Sequence, residues 1–340
     1  MKKLRVGIAG YGVVGKIRRK FIDSNYAMET VAVSDIAFKK DGKYSDGVLF
    51  YKNFKKLLNV ELDILFVCLP NKYAPEVTMM GLRNGLHVFC EKPPGRNVKD
   101  IEKVIKVEKA NKHLKLKYGF NHRYHKSIEH TKKIIESGTF GKIINFRGVY
   151  GKSKIIPFSG KWRSKREEAG GGILLDQGIH MLDMILYFSN EFNKVYSFIS
   201  NNFWNHDVED NAYIMMEDSK GRVAMIHSTA TEWKHKFRLE ITLEKAQLEL
   251  SGILSSSKSY GEERLIITKR KKDNKNSNPI EKIHKYSVDN SWKKEIDEFA
   301  ENIINNEPIT NGNSSDALSV MKLIYMIYTS DKRWKKMFNI

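Results

Sequence analysis

Only two cysteines occur in the 340 residues, Cys68 and Cys90. Each ends an apolar run, where a thiol acts as a small hydrophobe, so no disulfide framework is expected and a reducing cytoplasm is the expected compartment. No uninterrupted apolar stretch approaches the roughly 20 residues that a membrane span needs. Mean hydropathy is −0.48. The start, Met1-Lys2-Lys3-Leu4-Arg5, runs straight into a strand-like segment and lacks the apolar stretch and cleavage site of a signal peptide. No internal repeat is present. Acid is scarce beside base: 40 Asp and Glu against 59 Lys and Arg, a formal charge of +19. A charge of that size suits an anionic partner such as nucleic acid, a membrane surface or a phosphorylated substrate. The lysines are spread out with no dense basic arm, so a solvated surface is expected and neither nucleic acid nor membrane is an expected partner. The positive field would still gather a dinucleotide and a nucleotide-linked substrate.

What is present is an alternation of short apolar runs and helical patterns over the first 120 residues. Strands are expected at Leu4–Ala9, Thr30–Ser34, Leu62–Leu69, Leu86–Cys90 and Leu114–Gly119. Helices are expected at Val13–Ser24, Ala74–Asn84 (closed by Gly85) and Val98–Asn111. Near-continuously apolar strands alternating with helices predict a doubly wound parallel sheet, an α/β Rossmann-type domain over residues 1–120. Beyond 120 a helix at Ser127–Glu136 precedes longer β-like runs. These are Lys142–Tyr150, Lys194–Ser200, Asn211–Glu217, Arg222–Thr229, Phe237–Leu243 and Ala246–Leu250, with one helix near Asp176–Phe188 among them. That pattern predicts an α+β domain on a mostly antiparallel sheet over 121–340. Residues 251–290 are expected to supply edge strands and an exposed loop, with Lys269-Arg270-Lys271-Lys272 a solvated turn. Two helices near Trp292–Asn305 and Ser315–Ser330 close the chain.

Gly10-Tyr11-Gly12-Val13-Val14-Gly15 is a G-x-G-x-x-G that follows the first strand and opens the first helix. Gly10 permits the tight turn, Gly12 lets a pyrophosphate approach the backbone, and Gly15 lets helix and strand pack closely. The helix N-terminus offers free N–H groups to the phosphates. Asp35, about 20 residues past Gly15, ends the second strand, where a carboxylate accepts from the adenosine ribose hydroxyls. It would repel a 2′-phosphate, which predicts NAD rather than NADP. Flavin is a further dinucleotide to weigh, and the lysine motif argues against it.

That motif is Glu91-Lys92-Pro93-Pro94, at the end of the fourth strand. Ligands of doubly wound sheets lie beyond the carboxyl ends of the strands, which points Lys92 toward the cleft. A lysine there holds a substrate hydroxyl and stabilises charge developing on oxygen. The bland alternative is a surface lysine before a turn. The second motif is the run from Gly170-Gly171-Gly172 through Asp176 to His180. Four residues apart, Asp176 and His180 share a helix face, where the carboxylate orients the imidazole for acid/base work. The alternative is a helix cap and a core histidine. The glycines allow close approach of a ligand or another chain segment. His122, His125 and His130 lie close in sequence, but no cysteine or carboxylate pair completes a ligand set, and no metal is expected.

The three motifs, in this order and spacing, resemble the Gfo/Idh/MocA family of oxidoreductases. The resemblance covers essentially the whole chain. It includes Gly119-Phe120-Asn121-His122-Arg123-Tyr124, the Ser137–Ile143 turn, Phe299 and the Ser315–Ser330 helix. It implies hydride transfer between a secondary alcohol carbon and the nicotinamide, on sugars, cyclitols or their nucleotide-linked forms. It implies Lys92 as the catalytic lysine and Asp176 with His180 as the catalytic pair. It also implies Glu91, Asn121 and the Leu69-Pro70-Asn71 loop beside the cofactor, and Asn121, Arg123 and Trp162-Arg163 beside the substrate. Family members differ over whether lysine or histidine takes the proton; His180 is the expected base, with Lys92 holding the oxygen. Homodimers or homotetramers are expected through the second domain's sheet.

The leading expectation is a sugar dehydrogenase or ketoreductase, with a nucleotide-sugar of surface glycan synthesis favoured on charge and on Arg123 and Arg163. Inositol or free-sugar dehydrogenation is the enzyme alternative. A dinucleotide-sensing protein without turnover is the other class, and Lys92, Asp176 and His180 argue against it.

Overall fold

The computed structural model describes residues 2–156, 158, 161–189, 191–255, 259–270 and 278–338. They form two compact units, Met1–Asn121 with Glu167–Gly170 and Trp292–Leu318, and His122–Arg166 with Gly171–Ser291 and Ser319–Ile340.

In the first unit, β1 (Leu4–Ala9), α1 (Val13–Asp23), β2 (Met28–Ser34), β3 (Gly42–Lys43) and β4 (Leu49–Tyr51) lead to β5 (Ile64–Val67). Then come α2 (Ala74–Arg83), β6 (His87–Cys90), α3 (Val98–Ala110) and β7 (Leu116–Tyr118). The strands order as β3-β4-β2-β1-β5-β6-β7. All pairs are parallel except β3 with β4. The order runs outward both ways from β1, so a switch point lies between β1 and β5. Helix α2 ends as expected, with Gly85 at φ +76.

The expected single division at residue 120 needs correction. Helix α7 (Ser291–Ile304) belongs to the first unit from Trp292 onward, although it follows the whole second sheet in sequence. Its Ile296, Phe299 and Ala300 are buried with Val6, Ile8, Phe66 and Phe89. Phe66 and Phe89 stack at 4.8 Å, and Phe299 meets both edge-on at 6.1 and 5.6 Å. A parallel sheet must be covered on both faces, and α7 supplies part of that cover.

The second unit carries α4 (Lys126–Glu136), β8 (Ile143–Ser153), the single turn α5 (Arg166–Ala169, shared with the first unit) and α6 (Ile179–Phe188). Strands β9 (Phe192–Ser200), β10 (Asn211–Asp218), β11 (Val223–Glu232) and β12 (Lys236–Leu243) follow. After them come β13 (Ala246–Ser251), β14 (Glu263–Lys269) and β15 (Ile280–Tyr286). The sheet order is β15-β14-β13-β12-β8-β11-β10-β9. Only β8 with β11 is parallel among these pairs, so the sheet is mostly antiparallel, as expected. Helix α6 is apolar nearly all round and lies against β8, where a methyl group on Gly148 would meet Met181 Sδ at 2.9 Å. Strand β10 alternates cleanly: Ala212, Ile214 and Met216 are buried, Tyr213 and Met215 exposed. Helix α8 (Ser314–Ser330) straddles the two units, and α9 (Lys332–Phe338) buries Trp334. Residues Lys271 and Lys272 of the basic turn lie outside the described residues. Among the described residues no helix is long and apolar enough to cross a membrane.

Candidate active site

Each glycine of the fingerprint has its own physical reason. Gly10 adopts φ +93, and a methyl group there would stand 2.3 Å from the Cys68 carbonyl oxygen. A methyl group on Gly15 would stand 2.1 Å from the Gly10 oxygen, so the helix can sit this close to the strand only with glycine. Gly12 has nothing within 4 Å on that side. It caps α1 without a side-chain hydrogen bond, which leaves the first N–H groups of the helix for an anion. Asp35 follows β2, where Oδ2 accepts from Tyr11 N at 2.8 Å and Oδ1 from Ala37 N at 2.9 Å. The carboxylate is thus locked to the glycine turn and retains lone pairs for ribose hydroxyls. An open glycine, an uncapped helix start and a fixed carboxylate fit a dinucleotide.

The register aligns the other motifs with this turn. Ala9 pairs with Val67, Val67 with Cys90, and Cys90 with Tyr118. The carboxyl ends of four parallel strands therefore carry, side by side, the glycine turn, the Leu69-Pro70-Asn71 loop, Glu91-Lys92, and the segment ending at Asn121. Lys92 is half-buried and joined to Pro93 by a cis peptide. Pro70 starts α2 by accepting from Tyr73 N and Ala74 N. Two residues expected at the cofactor are engaged elsewhere. Asn71 is buried and donates from Nδ2 to the Ala169 carbonyl at 2.7 Å. Glu91 accepts from Arg18 Nε at 2.6 Å. Asn121 is buried at the edge itself.

The second unit builds the histidine site. Residues Leu174–Gly178 form a wide π-type turn before α6, where a regular helix was expected from Asp176. The glycine run explains the start of this turn. A methyl group on Gly171 would lie 2.1 Å from Tyr328 Oη, and one on Gly172 would lie 2.0 Å from the Glu209 oxygen. Gly171 and Gly172 thus serve the close packing of chain segments. Glu209, fully buried, accepts from Leu174 N at 3.0 Å and Tyr328 Oη at 2.8 Å, and so pins the turn. Burial raises its pKa, against the pull of Arg166 and the Tyr328 hydrogen bond.

His180 is 4% exposed, and its ring stacks on His122 with centroids 3.7 Å apart and planes at 16°. His122 Nε2 is 3.0 Å from Tyr150 Oη. The Tyr150 phenol is pushed well up, mainly by burial, with Tyr260 and Asp176 adding to it. Asp176 meets two cations, Lys152 Nζ at 3.4 Å and Arg163 Nε at 3.7 Å. Arg163 also lies over the Trp162 ring at 4.4 Å, so the Trp162-Arg163 segment does reach the carboxylate. Lys152 and Tyr150 went unnoticed in the sequence; two apart on one strand face, they were the available signal.

Arg123, expected beside the substrate, is turned to a buried carboxylate. It is 5% exposed and forms a two-pronged ion pair with Asp183, at 2.9 and 2.6 Å, beside the Tyr187 ring. A buried fork on a buried carboxylate holds the fold. The other neighbouring histidines go separate ways. His125 Nδ1 meets Glu263 at 2.8 Å, and His130 Nδ1 meets Tyr286 Oη at 2.7 Å. Among the described residues no three His, Cys, Asp or Glu form a metal-sized group.

Residues 4–120 match an oxidoreductase family with an NAD-binding Rossmann fold, and residues 128–249 match the GFO/IDH/MocA C-terminal domain. The chain belongs to the Gfo/Idh/MocA family. Its first domain is of that family's NAD-binding Rossmann type. It is 31% identical to D-glucoside 3-dehydrogenase of Escherichia coli K12 over 189 residues, 54% of this chain and 53% of that protein. The match thus spans about half the length of that relative. Inositol 2-dehydrogenase of Salmonella typhimurium LT2 is 24% identical over 263 residues, 75% of this chain and 76% of that one. The solved levoglucosan dehydrogenase in complex with NADH has the same fold. Its TM-score is 0.82 at 18% identity, covering 98% of both chains.

Proposed function

We propose that the protein oxidises a secondary alcohol of a free sugar, cyclitol or simple glycoside, with NAD as partner, or runs the reverse reduction. The observation that carries the reading is the shared strand edge, which presents Lys92 after β6, the glycine turn after β1 and Asp35 after β2 at the carboxyl ends of one parallel sheet. The alcohol gives up a hydride and a proton and becomes a ketone; bound nicotinamide supplies the hydride acceptor. Lys92 holds the reacting oxygen, and His180 takes the proton, with Asp176 and its two cations fixing the turn from which His180 projects. Asp35, held by two backbone N–H groups, disfavours a 2′-phosphate and so favours NAD over NADP.

The relatives are named for a glucoside, an inositol and levoglucosan, which supports a free polyol over the nucleotide-sugar expected on charge. The engagement of Arg123 with Asp183 weakens that nucleotide-sugar reading further.

The exposed sheet face supports a homodimer or homotetramer. Tyr196 and Phe198 are 73% and 79% exposed there and pair in register with the exposed Met215 and Tyr213, with Met225 exposed on the next strand. Sedimentation at micromolar concentration should report an oligomer; a monomer overturns it.

The test of function is NADH formation from myo-inositol, methyl glucosides, levoglucosan, and UDP- and GDP-sugars, with NADP in parallel and Lys92→Ala and His180→Ala alongside. Turnover of a free polyol, lost in both variants, is expected. Turnover of nucleotide-sugars alone restores the other substrate class. Tight NAD binding without turnover in either direction favours a sensor.

A further inference from the structure

The residue before Lys92 is engaged in a buried ionic chain that the proposed chemistry does not use. Glu91 Oε1 accepts from Arg18 Nε at 2.6 Å, and Arg18 donates through NH1 to Glu295 Oε2 at 2.7 Å. Arg18 and Glu295 side chains are fully buried, and Glu91 is 12% exposed. The guanidinium is clamped between the Phe89 and Trp292 rings, 4.3 Å from each centroid. A methyl group on Gly119 would come within 3.0 Å of both Arg18 NH2 and Glu91 Oε2. Four segments of the first unit therefore close on one guanidinium: α1, the ends of β6 and β7, and α7.

Stability alone does not account for this arrangement. Removing a guanidinium and two carboxylates from water is costly, and packed apolar groups of equal volume often do as well or better. Burial raises Glu295 to about 7 against the pull of Arg18, so its ionised form is held at a cost. What ions provide and apolar groups do not is direction. A bidentate-capable, planar guanidinium fixes where the Glu91 side chain, and hence the Glu91–Lys92 backbone, must lie.

We propose that Arg18, held by Glu295 and clamped by Phe89 and Trp292, is a positioning residue that acts through Glu91 to set Lys92 for the reaction. The inference rests on the reading of Lys92 as the group that holds the reacting oxygen. It also reassigns Glu91 from cofactor contact to brace.

The test compares Glu91→Gln, Arg18→Met and Arg18→Lys on the polyol that the wild-type protein oxidises. Glu91→Gln is expected to lower kcat tenfold or more while the NAD dissociation constant, by calorimetry, stays within twofold. Arg18→Lys is expected to retain more kcat than Arg18→Met. A fall in NAD affinity that accounts for the whole loss returns Glu91 to the cofactor and overturns the proposal, as does kcat within twofold of wild type in Glu91→Gln. If Arg18→Met does not fold, the isosteric Glu91→Gln still decides. Lys92→Ala separates the two claims: turnover that survives it removes the role of Lys92, whereas its loss alongside an unaffected Glu91→Gln removes only the brace. Should no polyol turn over, ¹³C-dimethyl-lysine spectra decide. The Lys92 signal, assigned by its absence from Lys92→Arg, shifts in titration midpoint in Glu91→Gln if the brace operates and coincides with wild type if it does not.

Discussion

The imidazoles of His122 and His180 lie face to face, 3.7 Å between centroids and 16° from parallel, with His122 anchored to Tyr150 at 3.0 Å. The stack fixes the plane in which His180 can offer its ring. A catalytic group misplaced by about 1 Å can lose on the order of a hundredfold in rate. His122→Ala is therefore expected to lower kcat at least tenfold with little change in KM. His122→Phe, which keeps a flat ring against His180, is expected to retain more. Steady-state kinetics of the two variants checks this, and equal losses would count against the stack.

The three glycines of the fingerprint separate binding from folding. Gly12→Ala places its methyl group in open space and should leave the melting temperature within a degree or two while weakening NAD binding. Gly15→Ala drives a methyl group to 2.1 Å from the Gly10 oxygen and should destabilise by about 1–3 kcal/mol, the usual range for overpacking. Melting curves with and without NAD distinguish the two outcomes.

Arg123→Met leaves Asp183 buried without its guanidinium fork. Loss of one partner of a buried pair costs about 3–5 kcal/mol. The variant should show that loss in urea unfolding, with KM for the polyol nearly unchanged where the protein remains folded. A large KM effect in a stable variant would return Arg123 to the substrate.

On the exposed sheet face, His227 stacks on Tyr213 at 3.9 Å, and its imidazole is pushed down to about 4 by burial, with Lys236 adding to it. The folded protein thus holds His227 neutral where the unfolded chain protonates it. Stability from this group is present above about 6.5 and is lost as pH falls toward 4. Urea midpoints for His227→Gln should fall less between pH 7 and pH 4.5 than those of wild type.

Much of this was legible in the sequence because the signals were local. The glycine turn, Lys92 at a strand end, and the strand–helix alternation depend on neighbours within a few residues, and the register then placed four strand ends together. The second sheet was legible from its period-two pattern, as in β10. What escaped were long-range partners. Glu209, Lys152 and Tyr150 become meaningful only when the π-type turn is packed against them. Asp183 claims Arg123 from 60 residues away. Strands β3 and β4, two and three residues long, carry too little pattern to register. The end of the dinucleotide domain was missed because α7 is separated from its sheet by the entire second sheet.

That separation has a consequence for synthesis. When residue 121 leaves the ribosome, the dinucleotide unit still lacks the helix whose Phe299 covers Phe66 and Phe89. Residues 122–291 must be made first, which at roughly 5–20 residues per second takes about ten to thirty seconds. During that interval the nascent chain presents an uncovered aromatic face. A fragment cut at residue 121 would present it permanently, so the cofactor-binding unit is not a module that can be borrowed by truncation.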